Sequence, residues 1–383
     1  MGSGSNVEGV RRQNLGTILQ LVHHAGPLSR AALTQRTGLN RSTVGGLVVA
    51  LAEHGLVHER EPDPTRRVGR PSPTVVPSRD VVAIAVNPEV DALEIGAVEL
   101  GGSVRVRTRQ EIGHLLSPDE TAERVAAVVA GWTADALAEC RIAGVGVAVP
   151  GLVRDADGIV RNAPHLKWQD VDLASPIAQR TGLHTSIGND ASLGALAEWL
   201  FGAAHGHSDI VYLNGGASGI GGGVILGGHS IGGAGGYAGE WGQNSPSISD
   251  AVDRRVPGGV LEDEVNRARL FAALGVSDDD RLADALASTA TAEVGRQRRI
   301  LAASLANAAN TLNPSMIVLG GFLAALRATD PESFDAQVRS QMLAAPAEQL
   351  AIRSAALADA RLLIGAAERV FERVVADPLL AAR

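Results

Sequence analysis

Asn189 and Asp190 stand between an apolar stretch ending near Ile187 and a helix-forming stretch that starts at Ala191. An amide and a carboxylate at the end of a strand project into whatever cleft that strand borders. The carboxylate there can accept hydrogen bonds from the hydroxyls of a sugar; the plain alternative is that Asp190 only caps the helix it precedes. A second group carries donors instead. Arg41, Ser42 and Thr43 follow Asn40 at the start of an apolar-periodic stretch, the place from which a helix presents side chains to base edges in the DNA major groove. Arg30 and the cluster Arg66, Arg67 and Arg70 flank that stretch and suit phosphate oxygens or a narrow minor groove. The glycine run from Gly215 to Gly223 could cradle a phosphate, but a tight hairpin demands glycine as readily, and the run is read as mainly structural.

The elements that must hold these residues are legible in the spacing. From Arg11 the apolar residues Leu15, Ile18, Leu19 and Val22 recur at helical period, and Gly26-Pro27 ends the helix. Ser29 caps a second helix that stops at Gly38, and Asn40 caps a third that runs to His54-Gly55. Two helices joined by a tight glycine-containing turn form a helix-turn-helix. Short strands at 56–59 and 73–76 bracket the arginine loop as a wing. Residues 11–77 are therefore expected to be a winged helix-turn-helix domain, preceded by a disordered N-terminus or tag remnant at 1–10. From Val81 the pattern changes to buried strands, Val81–Val86 and Leu93–Leu100 with a Gly101-Gly102 turn, and residues 81–383 form a separate body.

Composition removes several classes. Cys140 is the single cysteine of 383 residues, so neither an internal disulfide nor a thiolate-rich zinc site is available and a reducing compartment is expected. The apolar runs fall short of the roughly 20 residues of a membrane span, and the start MGSGS lacks the features of a signal peptide; the expectation is a cytoplasmic protein. Residues 1–80 hold ten Arg against six Asp and Glu, a net +4, and the remainder holds 24 basic against 36 acidic residues, a net −12, matching the total of −8. A basic head on an acidic body is the asymmetry of a chain whose head alone meets a polyanion.

Four motifs in order resemble the ROK family of repressors, open reading frames and sugar kinases: Val149-Pro150-Gly151-Leu152-Val153, Gly188-Asn189-Asp190-Ala191, the glycine run leading to Gly239-Glu240-Trp241-Gly242, and Asn313-Pro314 through Gly320-Gly321. The resemblance covers essentially the whole chain, the head being similar to the winged domain of the family's repressor branch. It implies an α/β, actin-like (ribonuclease H-like) fold of two lobes closing over a sugar. It also implies sugar contacts from Asn189, Asp190, Glu240 and Glu262, with Asp190 as the base of any phosphoryl transfer. Asn162-Ala163-Pro164-His165-Leu166-Lys167-Trp168 resembles the family's sugar-side segment, with His165 in place of the usual asparagine and Trp168 either beneath a sugar or in a lobe seam.

Two departures from the family matter. Its Gly-Glu-x-Gly-His motif precedes a zinc loop with three cysteines, and a gapless count puts Gln243, Asp253, Arg255 and Val260 at the four ligand positions, so no metal is expected. Its first phosphate turn aligns with Asn87, Glu89, Val90 and Asp91, which places two carboxylates where a triphosphate would sit. The expectation is a protein that is not an enzyme and needs no cofactor: a sugar-responsive regulator, more a repressor than an activator, that binds double-stranded operator DNA as a homodimer or homotetramer. The sugar would be held by Asn162, His165, Asn189, Asp190, Glu240, Gln243 and Glu262 in a cleft whose closure changes the spacing of two heads. The alternatives are a sugar kinase with an accessory head and a ligand-independent regulator with a vestigial pocket.

Overall fold

The computed structural model describes residues 4–61, 72–248, 251–289 and 291–379. They form two compact units: one holds residues up to Gly151, Gly158–Gly188 and the chain from Leu362, and the other holds Leu152–Asp157 and Asn189–Arg361.

The head opens the first unit with α1 (Gly4–Ala25), β1 (Leu28–Ser29), α2 (Arg30–Thr37), α3 (Arg41–Glu53), β2 (Val57–Arg60) and β3 (Thr74–Pro77). Ser29 accepts from the Ala32 amide to cap α2, Gly38 ends that helix at φ +70°, and Asn40 caps α3, each as the spacing predicts. Leu15, Ile18, Leu19, Val22, Leu33, Val44, Leu47, Val48, Leu51 and Leu56 close the head's core. The strands pair in the order β1-β3-β2, so the wing is anchored to the residues just before α2. One expectation is corrected: α1 starts at Gly4, so residues 4–10 belong to the helix instead of a disordered leader. No proline interrupts this stretch, and a helix end needs no apolar face to continue.

The body continues with β4 (Val81–Pro88), β5 (Ala92–Glu99), β6 (Val104–Glu111), α4 (Pro118–Ala134), β7 (Arg141–Val149), β8 (Leu152–Val153), β9 (Val160–Ala163), β10 (Trp168–Val171), α5 (Ala174–Thr181) and β11 (Thr185–Asn189). Then come α6 (Asp190–Leu200), β12 (Ile210–Gly216), β13 (Gly219–Leu226), β14 (His229–Ser230), α7 (Leu261–Glu264), α8 (Arg267–Leu274), α9 (Asp279–Ser288) and α10 (Ala292–Leu312). The chain closes with β15 (Met316–Gly320), α11 (Gly321–Ala328), α12 (Pro331–Arg339), α13 (Ala344–Gln349), β16 (Ala351–Ser354) and α14 (Arg361–Ala376).

Each unit is built on a five-stranded sheet, ordered β6-β5-β4-β7-β11 in the first and β14-β13-β12-β15-β16 in the second. In both, a three-strand antiparallel meander is extended from its first strand by a parallel neighbour. This repeated order is the actin-like architecture that the motifs imply. β4 is buried along its whole length, whereas edge strand β6 alternates, turning Arg105, Arg107 and Arg109 outward, which protects the edge from further pairing.

The head does not separate from the first unit. Gly16 of α1 meets α14 so closely that a Cβ would collide with the Val375 carbonyl, Arg12 pairs with Asp377 at 2.9 Å, and Arg141 Nη1 donates to the His54 carbonyl at 3.0 Å. At the centre of this junction Glu368 of α14, 2% exposed, faces His23 Nε2 at 2.9 Å and His24 Nε2 at 3.4 Å. The expected boundary between head and body is thus a chain boundary, not a packing boundary.

Candidate functional site

At the start of α3, Asn40 Oδ1 accepts from the Thr43 amide at 2.8 Å and from the Ser42 hydroxyl at 2.7 Å. Arg41 and Ser42 are exposed, Thr43 is half-buried, and Val44 turns into the core, so the helix presents its first turn outward. Arg30 is differently employed: its guanidinium forms a two-pronged pair with Glu59 of β2 at 2.5 Å, tying α2 to the wing. Arg66, Arg67 and Arg70 lie outside the described residues.

In the second unit, the side chains of interest lie near the carboxyl end of β12, the start of β13 and the start of α6, and strand ends of this kind are the usual place for a ligand in an open α/β sheet. Asn189, not Asp190, takes the capping role at the head of α6, accepting from the Ser192 amide at 2.8 Å. Asp190 is thereby released from capping. Its Oδ1 accepts from the Ala191 amide at 2.7 Å and from Asn189 Nδ2 at 3.3 Å. Burial pushes the Asp190 carboxyl up to about 6, with the Ala191 amide and Arg361 opposing and Glu240 adding to the rise. Glu240 itself is raised from its ordinary value by partial desolvation and by Glu262.

Glu262 sits at the start of the single-turn helix α7, where its Oε1 accepts from Gln243 Nε2 at 2.7 Å and its Oε2 from the Ile220 amide at 3.1 Å. The glycines make room for it: a Cβ on Gly219, which has φ +125°, or on Gly242 would collide with its carboxylate. Farther along β13, a Cβ on Gly221 or Gly223 would lie 2.6 Å from Ala191 or Ala195 of α6, so close helix packing requires these glycines, in line with the structural reading of the run.

The sequence did not single out four further groups. Asn214 Oδ1, Trp241 Nε1 and Arg361 Nε are buried without a well-formed hydrogen bond, and the buried Tyr212 hydroxyl has only Arg361 beside it. Asn214 directly precedes the glycine run and Trp241 follows Glu240, both readable signals; Tyr212 and Arg361 carried none. Buried polar atoms of this kind call for a partner, and a polyhydroxy ligand supplies both donors and acceptors.

Asn162 and His165 belong to the first unit, where both are exposed on β9 and the following turn. Trp168 is 4% exposed and donates to the Leu116 carbonyl at 3.0 Å, which settles its role as core filling. In the β4–β5 turn, Asn87 Nδ2 donates to Glu89 at 2.9 Å, and Arg109 of β6 pairs with Glu89 at 2.8 Å and lies 4.0 Å from Asp91. The two carboxylates are therefore not bare, as the spacing alone suggested; an arginine offsets part of their charge.

The residues at the family's zinc positions do not fit a zinc ion. Gln243 is committed to Glu262, Asp253 is held by Arg299 at 2.8 Å, Arg255 is a cation and Val260 has no donor atom. Among the described residues, His23, His24 and Glu368 have ligand atoms within 4.8 Å of one another. His23 Nδ1, however, accepts from the Gly101 amide at 2.8 Å. The ring proton then sits on Nε2 and is donated to Glu368, leaving no lone pair there for a metal.

Comparison with known proteins agrees with this geometry. The ROK family pattern matches residues 91–255 and 277–372, and the IclR helix-turn-helix domain matches 14–61. The xylose repressor of Bacillus subtilis (strain 168) is 30% identical over 248 residues, 63% of this chain and 63% of that protein. A putative xylose repressor of Caldicellulosiruptor sp. (strain Rt8B.4) is 27% identical over 333 residues, 81% of this chain and 83% of the relative. Among solved structures, a ROK family transcriptional regulator described as a homolog of the E. coli MLC protein superposes with a TM-score of 0.78 at 23% identity, over 98% of this chain and 99% of that one. A ROK family glucokinase from Streptomyces griseus, solved with glucose and AMPPNP, superposes with a TM-score of 0.59 at 23% identity, over 75% of this chain and 98% of that one. At these identities the two structures speak for the fold.

Proposed function

Because the chain belongs to the ROK family, we propose that it is a sugar-responsive transcriptional repressor, with α3 reading operator bases and the second unit holding the sugar. The observation that carries this is the pairing, in one chain, of a correctly capped helix-turn-helix with three carboxylates, Asp190, Glu240 and Glu262, brought within one another's field beside the glycine hairpin. Arg41, Ser42 and Thr43 read bases. Asp190, Glu240 and Glu262 accept sugar hydroxyls, Gln243 orients Glu262, and Asn189 holds the helix end beneath them. Relatives named as xylose repressors make an aldopentose the first ligand to try, with glucose next. In this reading the protein binds a palindromic operator as a homodimer, with half-sites one or more helical turns apart, and the cytoplasm is where such DNA is met. No helix among the described residues is long and apolar enough to cross a membrane.

The deciding experiment selects an operator from genomic DNA and measures its release across mono- and disaccharides and their phosphates, alongside thermal shift. A ligand that binds the folded state must raise its melting temperature. If no sugar either stabilises the protein or changes operator affinity, the sensor reading fails and a ligand-independent regulator remains.

One observation favours a kinase as the second reading: a carboxyl group at about 6 is well poised to act as a general base near neutral pH. Against it stands the β4–β5 turn, where Glu89 and Asp91 occupy the phosphate position and Val90 replaces a glycine. An ATP-dependent phosphorylation assay over the same sugars separates the two.

A further inference from the structure

Two residues beyond Glu262, Glu264 turns the other way and is completely buried. Its carboxylate accepts from the Arg255 amide at 3.0 Å, the Val256 amide at 2.9 Å and Arg296 Nη1 at 2.8 Å. Arg296, 1% exposed on α10, uses all five of its N–H donors. Besides the Glu264 carboxylate they reach the Glu264 carbonyl at 2.7 Å, the Asp253 carbonyl at 2.7 Å, and Glu293 at 2.9 and 2.7 Å. Gln297 extends the network, donating to Glu293 at 2.8 Å and to the Asn266 carbonyl at 3.1 Å. Helix α10 is itself set in the unit's core through Ile300, Leu301 and Leu305, so the network hangs from a rigid support.

We propose that Glu264 and Arg296 are the positioning residues of the sugar site: they clamp α7 and the loop from Asp253, and so hold the Glu262 carboxylate against Gln243 and the Ile220 amide. This inference rests on Glu262 being a sugar contact. The loop lies where the family resemblance places a zinc ion that these residues do not fit, and a protein-only ion pair does the holding instead. A single helical turn such as α7 has too few internal hydrogen bonds to fix its own orientation. A carboxylate moved by an ångström no longer meets a hydroxyl at hydrogen-bond distance.

The test uses the full-length protein and variants that keep the charge but alter the reach: Arg296→Lys and Glu264→Asp, with Glu264→Gln in reserve if either fails to fold. Phe334→Leu, in the buried core of the same unit, is the control for general destabilisation. Isothermal titration with D-xylose and D-glucose gives affinity, and hydrogen exchange of the peptide containing Ile220 reports where Glu262 sits. The expected result is at least a tenfold loss of sugar affinity with faster Ile220 exchange in the network variants, against less than a twofold loss in Phe334→Leu at a comparable drop in melting temperature. Affinity that tracks melting temperature across all variants, or Ile220 exchange that stays at the wild-type rate, overturns the proposal. So does a loss of sugar affinity or of Ile220 protection on treatment with 1,10-phenanthroline. If wild type binds neither sugar, the sugar-sensor reading is what has failed, and the Ile220 exchange alone judges the clamp.

Discussion

Glu368 at the head junction and Asp190 in the candidate sugar site are both carboxylates withdrawn from water, yet they titrate at opposite ends of their range. Burial alone would raise both. At Glu368, His23 and His24 outweigh it and hold the carboxyl down to about 2; at Asp190, the Ala191 and Asp190 amides and Arg361 do not, and it rises to about 6. The difference separates a joint from a site. Both Glu368 oxygens face imidazoles inside a buried junction, whereas the side-chain and amide donors to Asp190 reach its Oδ1 and Glu240 adds its charge nearby.

The linkage signs differ accordingly. Glu368 lies below its ordinary 4.5, so its contribution is complete above pH 4.5 and is lost as pH falls toward 2, on the order of 3 kcal/mol. Asp190 lies above its ordinary 3.8, so the fold binds that proton more tightly than the unfolded chain. Its contribution is present below pH 3.8 and is lost as pH rises toward 6, at most about 3 kcal/mol.

The contrast can be broken in several ways. The largest effect is expected from His23→Ala, which leaves Glu368 buried with a weakened partner set and should cost about 3–5 kcal/mol in urea unfolding. A change below about 1 kcal/mol would reduce the junction to an ordinary surface contact. Next, Asp190→Asn should weaken sugar binding by about a hundredfold, or roughly 3 kcal/mol, while leaving stability at pH 7 unchanged or higher. A destabilised Asp190→Asn would mean the carboxylate is structural after all. In wild type, sugar affinity should also fall as pH drops below 6, and titration of the Asn variant should show no such slope. Arg41→Ala should weaken operator binding by about 1–3 kcal/mol and spare the sugar response. The smallest effect belongs to the double variant Glu89→Gln, Asp91→Asn. It should leave sugar affinity within about twofold and yield no ATP turnover, because Val90 still blocks the backbone approach that a phosphate needs; measurable turnover would revive the kinase reading.

Much of the head was legible because its rules are local. Ser29, Gly38 and Asn40 act on backbone within four residues, and the structure shows each cap as the spacing predicts. Where reading failed, the partner lay elsewhere. Arg30 was read as a phosphate contact with no sign of Glu59, the partner that the fold brings to it across the wing. Asp190 was the residue weighed as the cap of α6, and the geometry of the turn gives that role to Asn189 instead. Trp168 was open between pocket and seam until the Leu116 carbonyl, 52 residues earlier, met its indole.

The amino-acid order alone therefore determined the kinds of element and their caps, which follow from backbone sterics and short-range hydrogen bonds, while the resemblance to the ROK family pointed to the two α/β lobes and to Asp190, Glu240 and Glu262. Tertiary structure decided which charges are spent and which are held in reserve. Glu368 meets His23 across 345 residues and Glu264 meets Arg296 across 32, and no local rule relates such pairs. A buried charge is set by whichever groups the completed fold brings within hydrogen-bond distance, and that is a property of packing.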